Sequence, residues 1–270
     1  MIARVESLHL YPVKGFRGQA LRDTAVARHG IAGDRRWLVT DPDGGFLTQR
    51  QIALMAQLDA DVTGTGLLLR HDGRAQAVAR PDADAARLDV RIWQASVTAA
   101  RAGTAADRWL SEVLGTDCRL VYMDDERGRP VTPPFGQPGD HVGFADAYPL
   151  LATSLGSLDA LNAALTRPVP MDRFRPSVTI SGLPAWAEDR WQRVRIGEMV
   201  FRMPAPCTRC VVITRDQRTG NTPDPGEPLK TLGRLNRHES GIVFGANLIP
   251  EAPGRLAVGD IVEVLASGGE

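Results

Sequence analysis

Apolar and polar residues alternate in short runs through the amino-terminal part of the chain, with Gly, Asp and Pro between the runs. Residues 3–10 (ARVESLHL), 35–49 (RRWLVTDPDGGFLTQ), 66–79 (GLLLRHDGRAQAVA) and 87–97 (RLDVRIWQASV) predict strands. DPDGG at 41–45 and HDGR at 71–74 predict hairpin turns, because Asp-Gly tolerates the positive φ angles such turns require. The period changes at 104–115 (TAADRWLSEVLG), where Trp109, Leu110, Val113 and Leu114 share one helical face; Thr104 is placed to cap the start and Gly115 to end it. A second helix begins near Thr153 or Ser154, where Leu155, Leu158, Leu161 and Leu165 recur at helical spacing.

Strand signals return in 177–182 (SVTISG), 193–203 (RVRIGEMVFRM), 210–215 (CVVITR) and 254–266 (GRLAVGDIVEVLA), two of them broken by tight Gly-Glu or Gly-Asp turns. The expected class is mainly β, of the α+β kind, with one β-rich unit followed by a second that helices decorate. Residues 123–142 (MDDERGRPVTPPFGQPGDHV) predict a long loop, and such a loop in a compact protein is usually functional or mobile. The tail ASGGE predicts a frayed end.

Composition narrows the function. With 270 residues, 43% hydrophobic and 24% charged, the chain can bury one large core or two small ones. Its 32 basic residues balance 32 acidic ones, which excludes a general field for nucleic acid or an anionic membrane, so any polyanion must be held locally. The start MIARVESLHLYPVKG has no secretory pattern and no run nears the ~18 apolar residues of a span. Three cysteines are too few for a disulfide framework. The expectation is a cytoplasmic protein with reduced thiols and neither a nucleic-acid nor a membrane partner.

The segment 203–214, MPAPCTRCVVIT, carries two of those cysteines, Cys207 and Cys210. A structural zinc site needs four ligands, but Cys118 stands alone and His238 has no partner in sequence. A thioredoxin-like pair should open a helix, and β-branched VVIT follows instead. Two small buried hydrophobes at a strand start would also explain the spacing. A fourth reading makes one thiolate a soft ligand to a metal whose other ligands come from a cofactor, favoured electrostatically by Arg209. Residue chemistry alone leaves these alternatives open.

Six blocks occur in order: YPVKGFRG (11–18), GDRRWLV (33–39), RFRPSVTISG (173–182), PCTRCVVIT (206–214), GEPLKTL (226–232) and FGANLI (244–249). Together they resemble the molybdenum cofactor sulfurase carboxy-terminal (MOSC) family, in the branch with an amino-terminal β-barrel that includes amidoxime-reducing components. The resemblance covers nearly the whole chain. It implies an amino-terminal barrel over 1–118 and a MOSC barrel core with helices over 119–270, with a molybdopterin-type molybdenum cofactor in the cleft between them. It also implies a reductase of N-hydroxylated compounds such as amidoximes, hydroxylamines or N-hydroxylated bases. The alternative within the family is a module that carries the cofactor, or a sulfur atom, without reductase activity.

By the same resemblance Cys210 is the molybdenum ligand, and Lys14, Arg35 and Arg175 hold the anionic end of the cofactor, with Gly15 bringing backbone close. Cys207, Thr208 and Ser177 are further contact positions. Asp146, in GFADAYPLLATS, matches an acidic position near the family's active site; capping a turn is the competing reading. No ferredoxin-like segment with four cysteines follows, so electrons are expected from a separate ferredoxin, flavoprotein or b-type cytochrome. The five histidines form no ligand pattern, no dinucleotide fingerprint or nucleophile elbow is present, and Trp37, close to Arg35, is expected near the cofactor.

Overall fold

The computed structural model describes residues 2–124, 128–131 and 135–268. One long sheet dominates it. Its strands run in the order 19–21, 4–10, 178–181, 150–154, 241–250, 199–202, 191–196 and 262–267. The far end then returns to the beginning: Val5 N donates to Asp260 O at 2.9 Å, Gly259 N to Val5 O at 2.8 Å and Val262 N to Ala3 O at 2.9 Å. The sheet thus closes around a core that includes Leu8, Ala152, Ile180, Val194, Phe201 and Leu248.

Strand 4–10 shows how sequence is fitted to that core. Val5 and Leu8 are three apart, which on a regular strand would put them on opposite faces. A bulge between Val5 and Ser7 resets the register against 178–181, and both side chains become buried. The parallel pairing of 150–154 with 178–181 needs a crossover, and helix α2 supplies it at Leu155–Ala163. It begins where expected, and Ser154 caps it: its Oγ accepts from Ser157 N at 3.3 Å.

Most of the remaining amino-terminal residues form a second core. A three-stranded meander (59–63, 66–71, 74–79) and a four-stranded sheet (37–40, 119–122, 95–101, 87–92) pack with helix α1, Thr104–Leu114. The Asp72-Gly73 turn has positive φ at both positions, 46° and 72°. Gly115, at φ 68°, ends α1, but its N-cap is Gly103, so Thr104 is the first helical residue and caps nothing.

Beyond the Thr104 cap, four expectations need correction. Residues 211–214 after Cys210 form a short 3-10 turn, not a strand: Thr214 Oγ1 turns back on Val211 O at 2.8 Å, and Ile213 is drawn into a core with Leu232 and Phe244. The run 87–97 is a hairpin turning at Trp93. The run 254–266 carries its tight turn, Asp260 N donating to Ala257 O at 3.2 Å, and its two strands pair elsewhere: 254–257 with 23–27, and 262–267 with 191–196. The predicted loop 123–142 contains a ribbon of 129–130 with 141–142; residues 125–127 and 132–134 of it lie outside the described residues. In the tail, Ser267 is paired with Trp191, while 269–270 lie outside the described residues. A third helix, α3 at Leu229–Leu235, follows Pro228 and was not visible in the periodicity. Among the described residues no helix is long and apolar enough to cross a membrane.

Glu188 is fully buried beside α2. Ser157 Oγ lies 2.8 and 2.9 Å from its two carboxyl oxygens. Burial pushes its pKa up to about 7, and the hydroxyl only partly opposes this. The folded value lies above the unfolded one, so the stabilising contribution is complete at pH below the unfolded value and is lost as pH rises through 7. Glu188→Gln is expected to flatten the fall in unfolding free energy between pH 5 and 8 by roughly 2–3 kcal/mol. Urea titrations at the two pH values test this; parallel pH dependence in both proteins would refute it.

Candidate functional site

Loops from both cores meet at a cavity of about 470 Å³. The amino-terminal side contributes Lys14 and Gly15, the segment Phe46–Arg50, and Trp93; the other side contributes Ala145–Leu151, Arg173–Arg175 and the Cys207–Cys210 segment. Six cations line it (Lys14, Arg35, Arg50, Arg173, Arg175, Arg209) against one carboxylate, Asp146. Lys14, Arg35 and Arg173 are ion-paired with Asp146, Asp34 and Asp216, which leaves Arg50, Arg175 and Arg209 as the cations that suit the site to an anion.

Backbone conformation marks the same place. Among the described residues five non-glycine positions have positive φ, and three of them, Arg35 (44°), Trp93 (55°) and Arg175 (55°), line the cavity. Such conformations are disfavoured for residues with a side chain and persist where the surroundings enforce them. Gly15, at φ 86°, needs its lack of a side chain: an added Cβ would stand 3.0 Å from Met55 Cε.

Arg35 and Arg175 both lie over the Tyr11 ring, each with its guanidinium carbon 4.4 Å from the centroid. Arg35 Nη2 also donates to Arg175 O at 3.3 Å. Behind Arg35 stands Asp34, buried, accepting from Arg35 Nη1 at 2.5 Å and from Tyr11 N at 2.8 Å. Burial works against the charge on Arg35, but Asp34 outweighs it and holds the guanidinium above its ordinary pKa. Arg175 has no such carboxylate: burial brings it down to about 10, and its Nη1 bonds Gln217 Oε1 at 3.0 Å. Burial also pushes the Tyr11 phenol up to about 12, so it stays neutral.

Gln217 belongs to a buried relay. Gln49 Nε2 donates to Gly15 O at 2.7 Å and to Gln217 Oε1 at 2.9 Å, and Gln217 Nε2 returns a bond to Gln49 Oε1 at 3.1 Å. The backbone at Gly15 is thereby tied to the side chain of Arg175 across the two halves of the site.

Lys14 Nζ is 2.5 Å from Asp146 Oδ1, which also accepts from Trp93 Nε1 at 3.1 Å. Burial lowers the Lys14 pKa, and Asp146 opposes this only in part. For Asp146, desolvation would raise the pKa, but its side chain is open at the mouth, and Lys14 and Trp93 together hold it below the usual carboxylate range. Arg129 pins this loop from behind, donating to Ala145 O at 2.5 Å and Gly143 O at 3.2 Å.

The two cysteines are placed differently. Cys210 is exposed, extended at φ −119° and ψ 179°, with Arg50 Nη2 3.4 Å from its sulfur. Cys207 is half-buried and receives Arg209 Nη1 at 3.0 Å, while Arg209 Nη2 bonds Phe174 O at 2.7 Å. Arg209 Nε is buried and unpartnered. Among the described residues no group of three or more His, Cys, Asp or Glu side chains could hold a metal.

The cavity gathers eight of the sequence-derived site positions, Lys14, Gly15, Arg35, Asp146, Arg175, Cys207, Thr208 and Cys210. Ser177 does not join them: it is fully buried where two strands of the main sheet meet, its Oγ accepting from Leu151 N at 3.3 Å. Trp37 also turns away, packing on Tyr122 in the amino-terminal core at 4.7 Å. Arg50, Trp93, Gln49, Gln217 and Arg129 escaped the sequence reading. None sits in a patterned motif, and a strained turn at Trp93 leaves no compositional mark.

These features define the class. Residues 2–117 match the model of the MOSC N-terminal beta barrel domain, and residues 139–263 that of the MOSC domain. The chain is 32% identical to mitochondrial amidoxime-reducing component 1 of Mus musculus, over 98% of this chain and 83% of that protein. It is 29% identical to the Homo sapiens counterpart, with the same two coverages. Molybdenum cofactor sulfurase of Oryza sativa subsp. japonica shares 28% identity over 89% of this chain, but that match spans only 32% of the sulfurase. The chain belongs to the MOSC family, in the branch that carries the amino-terminal MOSC domain and includes the amidoxime-reducing components.

Asp34 supplies the test of the buried charges. Asp34→Asn leaves Arg35 unpaired in the interior and should cost about 3 kcal/mol of unfolding free energy. Chemical denaturation checks this; a loss below about 1 kcal/mol would mean that solvent or Tyr11 already compensates Arg35.

Proposed function

We propose that the cavity holds a molybdenum cofactor and that the protein reduces N-hydroxylated compounds with electrons from a separate electron-transfer protein. The observation that favours this most is the joining of an exposed cysteine thiol to buried, under-compensated cations in one cavity. Among the described residues Arg175 has no carboxylate partner, and burial brings it down to about 10. An anionic cofactor compensates it, and the donor set therefore fits.

In this reading Cys210 ligates molybdenum, while Lys14, Arg35 and Arg175 hold the anionic end and the Gly15 backbone lies against it. Cys207 and Thr208 line the same wall. Residues from both 1–118 and 119–270 line the cavity. When bound, the cofactor supplies the two-electron chemistry that removes the hydroxyl oxygen. For an amidoxime the balance is one N–O bond broken, two electrons and two protons consumed, and an amidine and water released.

The side chains have distinct tasks. Asp146 is a carboxylate at neutral pH, so it accepts a hydrogen bond from a substrate N–H or O–H and orients it. Lys14, adjacent and with a lowered pKa, is the nearest acid to that position. The Gln49–Gln217 relay fixes Arg175 and keeps its guanidinium from following the substrate.

A second reading has its own observation. Cys207 is a half-buried thiol whose sulfur receives Arg209 Nη1 at 3.0 Å, a donor placed to hold an added sulfur atom on the cysteine. In that case the protein carries sulfur instead of reducing substrate.

Protein from a host that makes the cofactor is expected to contain stoichiometric molybdenum and to reduce benzamidoxime with reduced methyl viologen. Cys210→Ser is expected to lose both while keeping its circular-dichroism spectrum and melting transition. Full reduction by that variant would remove Cys210 from the site. A one-sulfur mass increase on Cys207, reversed by reductant in metal-free protein, would establish the carrier instead.

A further inference from the structure

Arg50 and Trp93 remain unused by the mechanism above, and both stand at the mouth of the cavity. Trp93 occupies the first position of the two-residue turn joining strands 87–92 and 95–101, at φ 55°. Gly or Asn takes such a position without strain, and a bulky side chain there is an outlier. The indole is also 47% exposed, so the core gives no reason for it. What it touches does: Nε1 donates to Asp146 at 3.1 Å, Phe46 meets it edge-on at 5.0 Å, and the Arg50 guanidinium lies 4.9 Å from its ring centroid.

Arg50 differs from the other five cations in its surroundings. Lys14, Arg35 and Arg173 are each paired with a carboxylate. Arg175 and Arg209 are held by buried acceptors. Arg50 faces the open side, and its side-chain contacts are the Trp93 ring and Cys210 Sγ at 3.4 Å; among the described residues it makes no ion pair. The Trp93 face orients it, which lowers the side-chain entropy still to be lost when it binds. Its planar fork suits a carboxylate or phosphate.

We propose that Arg50, oriented by Trp93, binds an anionic group carried on the substrate, making N-hydroxylated compounds with a carboxylate or phosphate the preferred class for this chain. The inference rests on the reductase reading and adds a preference within it.

The test uses molybdenum-loaded full-length protein, wild type, Arg50→Gln and Trp93→Gly. The glycine variant removes the ring at a backbone position that glycine favours, so a failure to fold is not the expected result. The kcat/KM values for 4-carboxybenzamidoxime and benzamidoxime are compared with reduced methyl viologen as donor. Separately, 4-carboxybenzamidine and benzamidine are titrated calorimetrically. Wild type should prefer the carboxylated member about tenfold in each pair, the scale of a charge-assisted hydrogen bond. Arg50→Gln should abolish both preferences, and Trp93→Gly should reduce them. Equal binding of the two amidines by wild type, or an undiminished preference in Arg50→Gln, would overturn the proposal. If neither amidoxime is reduced but the titration preference persists and depends on Arg50, the anion site stands and the reductase reading fails instead.

Discussion

The constraint on which the site depends is the burial of like charges around one aromatic ring. Two guanidiniums, Arg35 and Arg175, approach Tyr11 at the same distance, and only one of them has a carboxylate behind it. Taking a charge out of water is costly unless something compensates it. Asp34 compensates Arg35; the ring face and Gln217 compensate Arg175 only in part. The cavity therefore carries an electrostatic deficit that an anion relieves, and the positive φ angles at both arginines show the chain bent to hold them there.

That deficit can be maintained because two packed cores brace it from opposite sides. The closed sheet fixes Arg175 just after the 3-10 turn Met171–Phe174, with Phe174 stacked on Phe244 at 3.7 Å. The amino-terminal core fixes Lys14 and Gly15 between Val13 and Phe16, both fully buried. Neither core owns the site. The reciprocal Gln49–Gln217 bonds and the Lys14–Asp146 pair cross between them, so small relative movements of the halves are felt at the cavity.

The different placements of the two cysteines follow from the same arrangement. Cys210 ends an extended segment and opens toward the cavity, while Cys207 is turned under Arg209. Sequence spacing alone made them equivalent. The short turn after Cys210, against the strand that its β-branched residues predicted, forms because Ile213 is recruited into a core shared with α3 and Phe244. Tertiary burial overrode local propensity there.

Local chemistry made much of the molecule readable from its residues. The turn at Asp72-Gly73, the end of α1 at Gly115, the Ser154 cap, and the polar and apolar sides of most strands all follow from effects that act within a few residues. The blocks containing Lys14, Arg35, Arg175 and Cys210 were grouped by family resemblance and not by local chemistry, and the fold lines one cavity with them. What no local pattern could carry was partner choice: which strand 254–257 pairs with, that 4–10 closes the main sheet, and that Ser177 and Trp37 turn inward while Trp93 and Arg50 reach the mouth. Those outcomes depend on contacts between residues far apart in the chain, where burial and charge compensation are settled only once the whole sheet has closed.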